Sequence, residues 1–371
     1  MHLINHWKML IKEIVETIEN IAPVALQESY DNAGLIIGNH DLEVEKVMLT
    51  VDVTEEVLDE AIEKKCGLII SHHPLIFSGL KKINGKNTIE RIIIKAIIHN
   101  ISIYAAHTNL DNVHNGVNAI LAEKLGLKNT RILKSKSELL RKLVTYCPTE
   151  YAEQVRKALF DAGAGNIGNY NSCSFNTSGE GSFKATENAT PFVGKINELH
   201  FEKEIRIETI YPYYIEKLII DSLLKSHPYE EVAYDIYKLN NELNTVGSGM
   251  IGEIDSIEEE EFLLKIKGLT NANCIKHSGL IGKKIKIVAI CGGSGSFLIK
   301  DAIAAKADIF ITGDIKYHDF FEAENKIIIA DIGHFESEQF TKELLYTIIT
   351  KKFPNFAVLI SEKDTNPVHY L

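Results

Sequence analysis

The sequence predicts an α/β protein. Its main domain has two halves that repeat one αβ plan in three layers with largely parallel sheets, and an inserted α+β module interrupts it. Three observations predict this. Short apolar runs alternate with amphipathic helical segments over residues 47–125. The same alternation returns over residues 286–331. Between them, about 139–240, lies a stretch of different character, rich in Gly, Asn and Ser over 163–188. Alternating strands and helices build a largely parallel sheet, and the two flanks look like halves of one object. The domains are therefore 1–138 (main domain, first half), 139–240 (insert) and 241–371 (main domain, second half).

In the first half, 47–52 (VMLTVD) reads as a strand. Residues 54–65 read as a helix, with Val57, Leu58, Ala61 and Ile62 at helical spacing. Residues 67–71 (GLIIS) form a second, buried strand that runs into His72-His73-Pro74. A helix over 88–100 leads to a strand over 101–106, which ends at His107. Residues 116–125 are helical, with Gly126 as the residue that stops the helix. In the second half, 286–291 (KIVAIC) is a strand, 292–296 (GGSGS) a turn and 297–306 a helix. A strand over 308–312 ends at Gly313-Asp314 with His318 close behind, and a strand over 326–331 ends at Gly333-His334. Each half thus delivers a His with an acid four residues on, His107…Asp111 and His334…Glu338. This reads as an internal duplication.

The middle segment reads as strand 142–147, helix 150–162, loops and short strands over 163–188, strand 204–211, helix 215–226 and strand 232–239. The order β-α-β-β-α-β fits a split ferredoxin-like module.

Bulk composition narrows the function classes. The 371 residues are 45% hydrophobic and 25% charged, an ordinary globular balance. Forty basic against 51 acidic residues leave a net charge of −11. That argues against a nucleic-acid-binding protein, whose affinity comes largely from Lys and Arg on phosphates, but not against a small nucleotide as substrate. No run approaches the ~18–20 apolar residues of a membrane span. The start lacks the basic-then-apolar pattern of a secretory signal, and Met9 is a candidate start with 1–8 an upstream extension. The five cysteines are scattered and never in C-x-x-C spacing, which argues against a disulfide scaffold or zinc ribbon and makes the cytoplasm the expected compartment.

The 14 histidines are informative by their placement. Ligands of parallel sheets sit beyond the carboxyl ends of the strands, and His72, His73 and His107 lie at such ends. Adjacent His on a strand point to opposite sides, but the turn at Pro74 can swing both toward one site, or toward two metals. In His334-x-x-x-Glu338, residues i and i+4 share a helix face, with Cβ atoms roughly 5–6 Å apart. The carboxylate could complete one cation site or bridge two. Asp111 comes from the corresponding place in the first half. Three His (His72, His73, His334) and two carboxylates suit Zn, Fe or Mn rather than Ca. Five ligands exceed what one tetrahedral catalytic zinc uses. Two metals about 3.5–4 Å apart account for the count better.

Other residues leave alternatives open. His107 reads as a donor that orients a metal ligand, a general base or an ordinary strand-end His. Asp314, Lys316, Tyr317 and His318 follow a strand and could face the same cleft. Gly292-Gly293-Ser294-Gly295 could hold a phosphate with backbone N–H groups, or be a tight turn; it lacks the Lys of a P-loop. Asp31-Asn32-Ala33-Gly34 reads as a turn, and Glu258–Glu261 as a solvated helix start.

Together these runs resemble one family. APVALQESYDNAGLIIG (22–38), SHHPLIF (71–77), AAHTNLDN (105–112), GGSG (292–295), ADIFITGDIKYHDFFEA (307–323) and GHFESE (333–338) resemble the GTP cyclohydrolase I type 2 homolog family, also called NGG-one-interacting-factor-three-like. The middle segment, with SHPYEEVAYDIY (226–237), resembles the CutA/PII-like insert of its longer bacterial members. The resemblance implies a two-metal ligand set at His72, His73, Asp111, His334 and Glu338, with Glu338 as the bridge. Tyr30 stands where the family usually has Trp, and Phe335 where Gly is common; neither is a ligand. The resemblance further implies a toroidal homohexamer and a metal-dependent hydrolase of GTP, with a metal-bound hydroxide attacking the guanine ring. His107 or His318 would move protons. A two-metal hydrolase of a phosphate ester or damaged metabolite would use the same centre. A metal-binding regulatory or chaperone-like protein without turnover also fits. The expected partner is a small molecule, with no membrane and no nucleic acid.

Overall fold

A computed structural model describes residues 7–371. Of the upstream extension expected over 1–8, residues 1–6 lie outside the described residues. The chain divides into two compact units, Met1–Ser135 with Asn244–Leu371, and Lys136–Leu243.

Among the described residues the first unit holds two large sheets and a two-stranded one, Met9–Leu10 antiparallel to Glu43–Val44. In the first large sheet, strands Ala357–Ile360, Lys46–Thr50, Leu68–Ser71 and Ser102–Ala105 run parallel in that order, and Gly34–Ile37 closes the edge antiparallel. Leu68–Ser71 and Ser102–Ala105 are buried at every position, as central strands covered on both faces must be. Helix Glu55–Glu63 covers one face. It starts where the Thr54 hydroxyl accepts the Val57 N–H, and its buried Val57, Leu58 and Ala61 share a core with Met48, Ile69 and Ile103. Helix Thr88–Ile98 starts likewise, with the Asn87 side chain accepting the Glu90 N–H, and adds Ile92, Ile93 and Ala96 to that core. Helix Thr341–Lys352 packs on Lys46–Thr50 and Ala357–Ile360 and also meets helix Val117–Leu125, which packs on strand Ile285–Ser294 of the second sheet. Helix Val117–Leu125 stops at Gly126, whose φ of 80° is the left-handed cap that favours glycine.

In the second sheet the order is Lys276–His277, Ile328–Asp331, Ile309–Gly313, Ile285–Ser294, Leu243–Ile257, Lys128–Lys136. The central three strands are parallel, while Lys276–His277 and Leu243–Ile257 run antiparallel to their neighbours. This sheet is therefore mixed, a correction to the largely parallel expectation. Its flanking strands enter from the opposite end, where periodicity carries no direction. The recurrence between halves is topological as well: Gly34–Ile37 lies antiparallel beside Ser102–Ala105, as Lys276–His277 lies beside Ile328–Asp331.

Register places the site. Thr50, Ser71 and Ala105 stand level, so the chain emerging at His72 and His107 leaves the sheet on one edge. Thr312 and Asp331 are likewise level, which aligns Asp314 with His334.

The second unit is a four-stranded antiparallel sheet in the order Tyr234–Leu239, Leu140–Pro148, Leu199–Pro212, Phe175–Lys184. Helices Ala152–Asp161 and Glu216–Ser226 cover one face through Val155, Leu159, Ile219 and Leu223, packed on Leu143, Cys147, Ile207 and Tyr211. Where loops and short strands were expected over 163–188, Phe175–Lys184 forms one ten-residue strand. Its sequence, FNTSGEGSFK, carries no apolar alternation because both faces are largely exposed, and its backbone pairing with Leu199–Pro212 makes it a strand. Among the described residues no helix is long and apolar enough to cross a membrane.

Candidate metal centre

The strand ends of the first unit bring the predicted histidines and acids together. His72 is fully buried, and its Nδ1–H donates to the Ala106 carbonyl at 2.8 Å. The Nδ1–H of His73 donates to Asp52 Oδ1 at 2.7 Å. The Nδ1–H of His334 donates to Asp314 Oδ2 at 2.6 Å, and that of His107 to Asp31 Oδ1 at 2.7 Å. Each imidazole is thus braced outward through Nδ1, which fixes the tautomer and leaves the Nε2 lone pair for a ligand.

Glu338, 2% exposed, lies at the middle. It sits on the short helix His334–Glu338, so its carboxylate returns four residues on to the His334 ring. Its oxygens divide. Oε1 is 3.5 Å from His72 Nε2, while Oε2 is 3.0 Å from His73 Nε2 and 3.1 Å from His334 Nε2. Asp111, on the short helix Thr108–Asp111 that follows His107, places Oδ1 3.7 Å from His72 Nε2. His107 comes next, its ring 5.3 Å from those of His72 and His73.

Three of the facing atoms, His72 Nε2, Asp111 Oδ1 and Glu338 Oε2, are buried without a hydrogen-bond partner. With the Nδ1–H tautomers of His73 and His334, the short contacts to Oε2 bring Nε2 lone pairs against an acceptor. Orphaned lone pairs in a protein interior are costly. Donor atoms on one tetrahedral ion, each about 2.0–2.2 Å from it, stand about 3.4 Å apart, and these spacings match. Among the described residues three groups of side chains could hold a metal ion: His72, His73, His107; His73, His334, Glu338; and His72, Asp111, Glu338.

The carboxylates make the cluster a place that favours positive charge, whether carried by protons or by a cation that displaces them. Burial opposes the charged form of His73, but Asp52 and Glu338 outweigh it and raise the imidazole to about 10. His334 is raised to about 9 against its own burial by Glu338 and Asp314. Burial, and then the Glu338 charge, push the Asp111 carboxyl up, whereas the surrounding imidazoles hold Glu338 well down despite its burial. The buried Cys291 thiol is driven upward by burial and by Asp111 and Glu338, so it stays protonated. Asp31, despite partial burial, is lowered to about 2 by hydrogen bonds from His107 and Thr108 and remains ionised at neutral pH.

Gly293 makes the approach possible. At φ 64° it occupies left-handed backbone, and a Cβ there would stand 2.3 Å from Glu338 Oε1. The GGSG run is not the turn expected over 292–296: Gly292, Gly293 and Ser294 close the strand Ile285–Ser294, with a register shift between Ile290 and Ser294, and only Gly295 lies beyond it. The glycine amides of the run are consumed internally: Gly292 N–H by Asn118 Oδ1, Gly293 N–H by Ser337 Oγ and Gly295 N–H by Thr312 Oγ1, each at 2.9 Å. They form no phosphate cradle.

Six of the seven predicted residues converge. His318 does not: it is exposed, edge-on to Tyr317 and stacked on Phe321, because the 3₁₀ turn Tyr317–Ala323 carries it away from the cluster. Lys316 and Tyr317 are exposed as well, and of that group only Asp314 reaches the site. Sequence reasoning missed Asp52 and Asp31 as braces. The available signal for Asp52 was an acid at the carboxyl end of a buried strand; Asp31 looked like turn chemistry alone.

A cavity of about 570 Å³ opens over the cluster, lined in part by His73, His107, Asp111, His334 and Glu338. A larger one, about 660 Å³, lies in the other unit, but it is lined by none of the candidate metal donors among the described residues.

The donor set at the strand ends makes this an α/β protein with a candidate metal centre. Comparison with known proteins gives its family: the model of Duf34/NIF3 (NGG1p interacting factor 3) matches residues 9–367, and the chain belongs to that family. A Bacillus subtilis protein named GTP cyclohydrolase 1 type 2 homolog is 41% identical over 367 residues, covering 97% of this chain and 98% of that protein. The crystal structure of a Bacillus cereus protein related to NIF3 superposes with a TM-score of 0.84 at 38% identity, covering 98% of this chain and 99% of the other. A Staphylococcus aureus structure follows at TM-score 0.77 and 32% identity, with 98% and 99% covered.

Proposed function

We propose that the chain is a dinuclear divalent-metal protein acting as a hydrolase on a small molecule. The observation that carries this reading is the division of Glu338 between two donor groups, with three buried lone pairs left orphaned around it. His72 and Asp111 would hold one ion beside Oε1, His73 and His334 the other beside Oε2, with Glu338 as bridge. Zn, Fe and Mn all suit this set of imidazole and carboxylate donors. Divalent ions held there would supply a water acidic enough to ionise near neutral pH and Lewis-acid polarisation of the scissile group. The chain's own residues do the rest. Asp52 and Asp314 keep His73 and His334 in the ligating tautomer, and His107, oriented by Asp31, holds or passes a proton at Nε2 beside the cavity.

The name borne by the Bacillus subtilis relative makes the guanine ring of GTP one candidate substrate. The adjoining cavity favours turnover over a purely regulatory metal site. A homohexamer and a reducing cytoplasmic setting belong to the same proposal; all five cysteines are free, in keeping with the latter. The strand order of the 136–243 unit supports a ferredoxin-like insert.

Metal analysis of tag-free protein tests the reading. We expect about two transition-metal ions per chain, and their loss in His72→Ala and Glu338→Ala together with loss of turnover. Undiminished metal content in both variants would refute the ligand set. Two metals without turnover on any of a broad substrate panel would leave the regulatory alternative.

A further inference from the structure

Resting on that two-metal reading, we propose that the centre takes an uncharged planar ring compound, a heterocycle or its nucleoside, rather than a nucleoside polyphosphate. The cavity wall argues for it. Its carboxylates and carboxyl groups are Glu28, Asp52, Asp111 and Glu338, and among the described residues neither Lys nor Arg lines it. Two divalent ions offset by Asp111 and Glu338 leave charge for one anionic group at most beyond a hydroxide. The remaining phosphates of a polyphosphate would face Glu28, Asp52 and apolar surface. The glycine run at the end of strand Ile285–Ser294 has spent its three glycine amides on Asn118, Ser337 and Thr312, so they form no backbone cradle in place of the missing cations.

Beside the uncharged polar groups of Thr108, Asn112, Asn118, Ser248 and Ser294, the wall carries a set of aromatic and aliphatic side chains. Tyr30, Phe77 and Phe297 are 69%, 54% and 58% exposed, large fractions for rings grouped around one cavity. Phe77 is anchored edge-on to the His107 ring, 5.7 Å between centroids at 83°, which sets its position relative to the cluster. Exposed rings beside a polar centre are stacking surfaces for a flat ligand. The volume of about 570 Å³ lies within the usual range for small-molecule sites. The metals and His107 would then meet the edge of a ring held by its faces.

The test uses the full-length, metal-loaded protein and two fluorescent probes, 2-aminopurine riboside and its 5′-triphosphate, whose emission is quenched on stacking. Metal content is measured on the same samples before and after titration. We expect saturable quenching by the riboside and about tenfold or weaker binding of the triphosphate. Phe77→Leu and Phe297→Leu should each weaken riboside binding about tenfold while metal content is unchanged. Triphosphate binding as tight as the riboside's would overturn the proposal, as would absence of riboside quenching or indifference of both variants. A chain that retains no metal overturns the two-metal reading instead, and the order of the two probes on that sample still decides the substrate class.

Discussion

Replacing Gly293 by alanine should damage the centre without touching a ligand. Residue 293 has φ 64°, and an added Cβ would lie 2.3 Å from Glu338 Oε1, 3.3 Å from its carboxyl carbon and 3.4 Å from His334 Cε1. A relaxed carbon–oxygen contact is about 3.3 Å or more, so about 1 Å must be found. The left-handed backbone costs about 1–2 kcal/mol for a residue with a side chain. Overpacking a buried site adds about 1–3 kcal/mol. The variant should therefore lose about 2–5 kcal/mol of stability. Metal binding should suffer separately, because donors must sit within about 0.2 Å of their bonding distances, and the flexible partner in this clash is Glu338 itself. Gly282→Ala is the control: it has φ 73° but open space around the would-be Cβ, so only the backbone penalty applies. Denaturant unfolding with metal analysis on both variants reads the two effects. A Gly293→Ala protein that matches Gly282→Ala in both stability and metal content would refute the reasoning.

Three further outcomes follow from the geometry. Asp52→Asn removes the carboxylate that braces His73 and accepts the Thr365 hydroxyl; metal affinity should fall about 10–100-fold, read by competition with a chelator, and an unchanged affinity counts against the bracing role. Asp31→Asn should lower turnover by about 10²–10⁴ if His107 moves the proton while metal content stays at the wild-type level, and equal loss of both would place Asp31 in the metal scaffold instead. In the 136–243 unit, His227 donates from Nε2 to the Tyr146 carbonyl and accepts the Tyr229 N–H at Nδ1, and burial lowers its pKa below 6.5. Protonation would break the second bond. The folded state thus binds fewer protons than the unfolded one, so its stabilisation is complete above pH about 6.5 and declines as pH falls below it, by at most about 1.4 kcal/mol per pH unit. The stability difference between wild type and His227→Gln should shrink from pH 7.5 to 5.5; a constant difference would contradict the assignment.

The site was legible in the sequence wherever chemistry and chain order coincide. His72-His73 follows the apolar run Leu68–Ser71, and His334 and Glu338 share a helix face, so residue type and spacing pointed to both. Asp31 and Asp52 were not legible as braces, because each reaches an imidazole 76 or 21 residues away. No local pattern encodes such a meeting. His318 shows the reverse error: nearness in sequence to the strand end Ile309–Gly313 suggested nearness in space, and one 3₁₀ turn carried it outward.

The alternating strands and helices over 47–125 and 286–331, and the imidazoles and carboxylates at their strand ends, were legible in the sequence alone, whereas Ile11–Glu19, Gly34–Ile37, Leu243–Ile257 and Ala357–Ile360 came only with the structure. Apolar periodicity marks what must be buried, and imidazole beside carboxylate marks what can bind a cation. The tertiary structure alone decided three things: the mixed direction of the second sheet, the full length of strand Phe175–Lys184 and which oxygen of Glu338 faces His72 and which faces His73 and His334. Each depends on which segment arrives alongside another and from which end. Long-range backbone pairing and packing set that outcome, and a pattern read along one strand of sequence carries neither.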